Sequence, residues 1–217
     1  MPDADGPKPI IPVTDSQAKA VAAIASLGQT VVEEGGQLAR YIGRVLGVAP
    51  DDAVGIVIGD PLHFIRAAIA KNYDDLLTKI FEKRHVKKTD PVSPSVAIPL
   101  LRAAYDESRP ELQELWAELI AAAMDPTRSG QVRLSFITTV KQLDPLDALV
   151  LKELYNEPGP TIPNPRDFLT TRLNRSPTDI ELTVDNLASL RCVFRGPSLA
   201  EFHLTTYGRE LARVCSG

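Results

Sequence analysis

The chain has 217 residues, 44% of them hydrophobic, enough to bury a sizeable core and, at about 150 residues per domain, to build one or two domains. Its 24 Lys and Arg against 28 Asp and Glu leave a formal charge of −4, so the molecule as a whole lacks the basic footprint of a dedicated nucleic-acid binder. Cys192 and Cys215 are too few for a disulfide framework; with no CxxC or Cys/His cluster they read as buried thiols in a reducing, cytoplasmic setting.

The opening MPDADGPKPIIPVTD mixes prolines and aspartates before any apolar run. Residues 1–14 are expected to be a flexible tail, neither signal peptide nor membrane anchor. An N-terminal helical region is expected over residues 15–88. From Ser16 to Leu46 the apolar Val21, Ile24, Leu27, Val31, Leu38, Ile42 and Leu46 recur at helical spacing. Glycines 28, 35, 36 and 43 each cost a helix interior about 1 kcal/mol relative to Ala, so this helix needs a partner surface or breaks near Gly35. A short apolar burst lies within residues 49–64. Asp60 and Pro61 then open a strong helix reaching about Arg84, with Leu62, Ile65, Ile69, Tyr73, Leu76, Leu77 and Ile80 inward. At its end Lys83, Arg84, Lys87 and Lys88 complement the negative helix terminus and form a candidate anionic-surface cluster.

Residues 89–96 read as a linker, opening a central helical region over 89–144. One helix is expected from about Ser95 to Tyr105, with Pro99 in its opening turn. Another is expected to be capped by Ser108, with Glu111 completing a capping box. On that second helix Leu112, Leu115, Trp116, Leu119, Ile120 and Ala123 make one apolar stripe, opposite Glu111, Glu114 and Glu118. The chain's one tryptophan is therefore expected in the core, and Ala121 to Ala123 make a thin edge where another helix can approach. Residues 133–143 follow as a helix with Leu134, Ile137 and Val140 inward.

Residues 145–217 have a different rhythm. Asp144–Pro145, Asn164–Pro165 and Ser176–Pro177 each open a helix. Strands at Cys192–Phe194 and about Ala200–Leu204 flank a turn, and a helix from about Thr205 to Val214 closes the chain. The expected fold is mainly α: a helical N-terminal and central bundle followed by a winged-helix-like module with one short β-hairpin.

No catalytic constellation emerges. The three histidines, His63, His85 and His203, lie at least 22 residues apart, and no HExxH, CxxC or paired His/carboxylate spacing offers metal ligands. There is no phosphate loop, dinucleotide turn or nucleophile elbow, and no arginine stands four to six residues before a histidine. No cofactor, metal or enzymatic activity is expected. Over residues 145–217 eight Arg and Lys face nine Asp and Glu, which gives little counterion-release drive for DNA. Arg172, Arg175, Arg191 and Arg195 are the side chains that would contact a nucleic-acid backbone. Glu181, Asp185 and Ser189 are expected on the outward face of the third helix, where carboxylates repel phosphates.

The segments VAIPLLRAAYDESRPELQELWAELIAAAMDP and RLSFITTVKQLDPLDALVLKEL resemble the bacterial Abi-alpha, or abortive infection alpha, family. The resemblance rests on Leu112–Gln113, Leu115–Trp116–Ala117, Leu119–Ala123 and Gln142–Asp147, and covers roughly residues 40 to 155. It implies phage defence by abortive infection and a C-terminal winged helix, and brings no active-site motif. The leading expectation is a non-enzymatic protein acting through contacts with a phage or host protein, with self-association left open. A winged-helix DNA-binding regulator is the alternative. A third reading places the glycine-rich, amphipathic Ser16–Leu46 and the basic end of Pro61–Lys88 on an anionic membrane surface; no span is expected, since no uncharged run approaches the ~18 residues that one needs.

Overall fold

A computed structural model describes residues 63–89, 93–157, 164–196 and 201–216. The expected tail over 1–14, the helix Ser16–Leu46, the apolar burst up to Leu62 and the helix start at Asp60–Pro61 lie outside them, as do the side chains of Ile65 and Ile69. Among the described residues the elements in chain order are α1 (His63–Arg84), α2 (Pro94–Tyr105), α3 (Pro110–Met124), α4 (Leu134–Val140), α5 (Pro145–Asn156), α6 (Pro165–Leu173), α7 (Pro177–Ser189), β1 (Val193–Arg195), β2 (Phe202–Leu204) and α8 (Thr206–Val214). The fold is mainly helical, with one antiparallel hairpin near the C-terminus pairing Val193 with Leu204, Phe194 with His203 and Arg195 with Phe202.

Proline punctuates most of these helices. Pro94, Pro110, Pro145, Pro165 and Pro177 all stand in the first turn, where a missing N–H costs nothing and the fixed φ is already helical. Before α5, the Asp147 carboxylate accepts the Asp144 N–H at 2.7 Å. Ahead of α7, Ser176 and Asp179 exchange the two bonds of a capping box at 3.1 and 3.3 Å. Two starts differ from expectation. Pro99 lies inside α2, because the helix begins at Pro94. The N-cap of α3 is Arg109, not Ser108: the Glu107 carboxylate takes the Arg109 N–H and guanidinium, both at 2.9 Å, and holds the chain extended there. Burial would lift the Glu107 carboxyl, but those bonds outweigh it and keep its pKa below the ordinary value.

α3 is the axis of the packing. α1, α2, α4, α5 and α8 all lie against it, and the buried apolar side chains form one continuous core on both sides of residue 144. Ala121, Ala122 and Ala123 are fully buried, the small side chains that let neighbouring helices close around α3. Trp116 and Leu112 are buried as the stripe predicts, and Tyr73 of α1 reaches over to donate its hydroxyl to the Ala104 carbonyl at 2.8 Å. Leu134 departs from its expected place. It is 51% exposed while Phe136, Ile137, Thr139 and Val140 are buried, because α4 begins only at Leu134 and its inward face is set by the later turn.

The last helix is stitched to the hairpin. Thr205 caps α8 by accepting the Gly208 N–H at 2.9 Å, and its hydroxyl donates to the Arg191 carbonyl at 2.6 Å. A Cβ on Gly208 would stand 2.0 Å from the Cys192 carbonyl oxygen, so only glycine lets α8 approach β1 this closely.

Candidate functional site

Two surfaces stand out, and the first is a groove between α1 and α3. The spacing 76, 79, 80, 83 on α1 and 111, 114, 115, 118 on α3 puts one stripe of each helix against the same furrow. With α5 and the end of α8 they enclose a groove of about 300 Å³, in which Leu76, Ile80, Leu115 and Leu151 are apolar and Lys79, Lys83, Lys152, Glu111, Glu114 and Glu118 carry charge. Lys152 and Glu114 approach to 3.6 Å.

Beneath that groove lies an ion pair that sequence spacing did not reveal. Arg84 pairs with Glu118, their side chains 4% and 16% exposed, and Arg84 also reaches the Val214 carbonyl at 3.4 Å. Burial lowers the Arg84 pKa, and Glu118 partly restores it. Its Nε and Nη1, like the indole N–H of Trp116, are buried without a hydrogen-bond partner among the described residues. The expected cluster Lys83, Arg84, Lys87 and Lys88 is therefore divided. Arg84 follows Leu77, Ile80 and Phe81 by seven, four and three positions and turns inward on their stripe. Lys83 lines the groove, Lys87 borders a separate shallow pocket beside Phe81, and Lys88 is exposed.

The second surface is the outward face of α7. Ile180, Thr183, Val184 and Leu187 are buried, leaving Thr178, Leu182, Asp185 and Ser189 exposed along one stripe, with Leu182 at 65%. An exposed leucine here was legible, since it falls two positions from both Ile180 and Val184 and so off their face. Arg195 pairs with both Glu181 and Asp185, and Arg166 also approaches Glu181 at 3.6 Å. Arg172 is held by Glu153 at 3.1 Å. The Arg191 guanidinium lies 5.3 Å from the centre of the Tyr207 ring, and Arg175 is exposed. The four arginines named for a nucleic-acid backbone thus sit in different local settings, two of them engaged by carboxylates of the same chain.

Buried titratable groups serve the fold. Asp147 is 2% exposed and accepts the Asn186 amide at 2.6 Å, tying α5 to α7; burial raises its carboxyl pKa. Burial also pushes the Cys192 thiol up to about 12 and raises that of Cys215, leaving both in the unreactive protonated form at neutral pH. Among the described residues no three His, Cys, Asp or Glu gather as a metal site would require. Nor is any of their helices long and apolar enough to cross a membrane.

Residues 67–200, more than half of the chain, match the family model described as abortive infection alpha. No curated protein and no solved structure matches the chain.

Proposed function

Because the chain belongs to the abortive infection alpha family, we infer that it serves in abortive-infection defence against phage, as a non-enzymatic cytoplasmic protein acting through contacts with a phage or host protein. The observation that carries the second half of this reading is the outward face of α7. We read residues 145–217 as a winged-helix-like contact module, α5, α6 and α7 followed by the β1–β2 hairpin. A winged helix on DNA offers its third helix to the major groove. In this chain that helix offers an exposed leucine beside Asp185, and the nearby Arg195 is taken by Glu181 and Asp185. Apolar surface with its own carboxylates suits a protein partner and repels phosphate.

The test is phage plating efficiency and host survival in cells carrying the intact chain or Leu182→Lys with Ser189→Lys. Both positions are exposed, and the second lysine suits the C-terminal end of a helix. The intact chain is expected to restrict phage at the expense of the infected cell, and the double variant to lose this while melting normally. If α7 instead reads DNA, the two added cations will preserve protection and steepen the salt dependence of DNA binding by about two ions. No protection by the intact chain across a broad phage panel would contradict the defence role itself.

A further inference from the structure

The groove over α3 has a charge pattern that the α7 face does not explain. Of the carboxylates lining it, Glu114 is matched by Lys152 and Glu118 by Arg84. On the opposite wall Lys79 and Lys83, one turn apart on α1, make no ion pair among the described residues, and the furrow between the walls has an apolar floor, the half-buried Leu76 over the edges of the buried Ile80, Leu115 and Leu151. Two lysines one turn apart without an ion pair among the described residues, on one side of an apolar furrow, stand out in a chain of net charge −4.

We propose that this groove receives an amphipathic helix of a partner protein, with its apolar stripe on the furrow and an acidic flank against Lys79 and Lys83. The proposal rests on the reading that the protein acts through protein contacts, and names the surface and the chemistry of the partner. A helix entering such a furrow anchors through residues at i, i+3, i+4 and i+7. Its charges then choose the orientation, since like charges brought together across an interface cost more than complementary rim pairs contribute. Carboxylates set against Lys79 and Lys83 meet no acid among the α1 residues that line the groove, Asp75 and Glu82 standing outside it, and a basic residue on the other flank meets Glu111. The three groove glutamates argue against a free phosphate or a nucleic-acid backbone, which would be drawn to the lysines but repelled by the remainder of the lining.

The experiment uses the full chain and two synthetic, helix-stapled peptides of about 18 residues, five turns, sharing one leucine stripe. One carries glutamates on the first flank and lysines on the second; the other has the flanks exchanged. By fluorescence anisotropy at physiological salt the matching peptide should bind about tenfold more tightly, two rim charge pairs' worth. Lys79→Glu with Lys83→Glu, both at the surface, should reverse the preference, a result that misfolding would not produce. Equal binding of the two peptides, no binding of either, or a preference that survives the reversal would overturn the proposal. A dimer that sediments as such and separates on the reversal would overturn it in favour of a second copy. A photo-crosslinker at Leu76 that captures residues 1–62 of its own chain would overturn it in favour of an internal segment. If the reversed variant protects against phage as well as the intact chain does, the groove is not the working surface, while defence through other contacts stands. Loss of protection by the intact chain would sink that wider reading whatever the peptides do.

Discussion

α3 and α7 open alike, each with a proline in the first turn and an apolar stripe behind it, yet they end in opposite circumstances. Eleven of the 15 residues of α3 are buried and only four of the 13 in α7, so the first helix is enclosed and the second keeps a free face. Alanines 121–123 are what allow neighbours to close around α3. Their charges differ in the same sense. Glu118 of α3 pairs with a buried arginine, whereas Asp185 of α7 pairs with Arg195 from a 61% exposed side chain. Substitutions along α3 should therefore be read in stability, and those on the outer face of α7 in function.

The largest effect should come from Trp116→Ala, which removes the largest fully buried side chain and should cost about 3–5 kcal/mol in urea unfolding. A loss near that of an exposed site would break the comparison at its enclosed end. Next, Arg84→Ala strands Glu118 in a half-buried position and should cost about 3 kcal/mol. Arg84→Met combined with Glu118→Leu should recover most of that, since a buried ion pair replaced whole by apolar groups is often neutral or stabilising. Failure of the double variant to recover would mean the pair holds the end of α8 through Val214 more than it satisfies its own charges.

Asp147 supplies a pH test of the tie between α5 and α7. Burial raises its folded pKa, so the folded state holds the proton more tightly than the unfolded chain does. The stability this gives is complete below the ordinary carboxyl pKa of about 3.9 and is lost as pH rises through the higher folded value. Asparagine does not titrate. Asp147→Asn should accordingly gain stability relative to the wild type as pH rises from about 4 toward neutrality, and the opposite slope would contradict a carboxyl whose pKa burial raises. The smallest effect belongs to Arg195→Ala, expected to cost about 1 kcal/mol because Asp185 sits at the surface and Glu181, half-buried, keeps Arg166 beside it. A much larger cost would mean that α7 and the hairpin depend on this link as α3 depends on its core.

Much of the fold was legible because local chemistry writes it. Proline at a first helical position needs no tertiary information, and neither do the Ser176–Asp179 capping box or the Trp116 stripe. What escaped depends on residues far apart in the chain. Arg84 looked like part of a basic terminus until its position on the Leu77–Phe81 face placed it against Glu118, 34 residues on. The cap of α3 shifted from Ser108 to Arg109 because Glu107 claims the latter's donors. The arginines expected to contact nucleic acid had visible identities but invisible partners: Glu153 lies 19 residues from Arg172 and Asp185 ten from Arg195. Leu182 could have been found from its phase alone, and the groove could not, since it needs α1, α3, α5 and α8 in place together.

The enclosed core also decides how function should be tested. Ending the chain at Leu143 would remove α5 and α8, both packed on α3, and confound loss of a contact face with loss of the fold. Point substitution on α7 avoids this. The most direct measurement is therefore phage plating efficiency with host survival for the intact chain beside Leu182→Lys with Ser189→Lys, the melting temperatures being matched. Restriction of phage with death of the infected cell, abolished in the double variant, is the predicted result. Full protection by a variant whose outer α7 face has been made cationic would contradict a protein contact there.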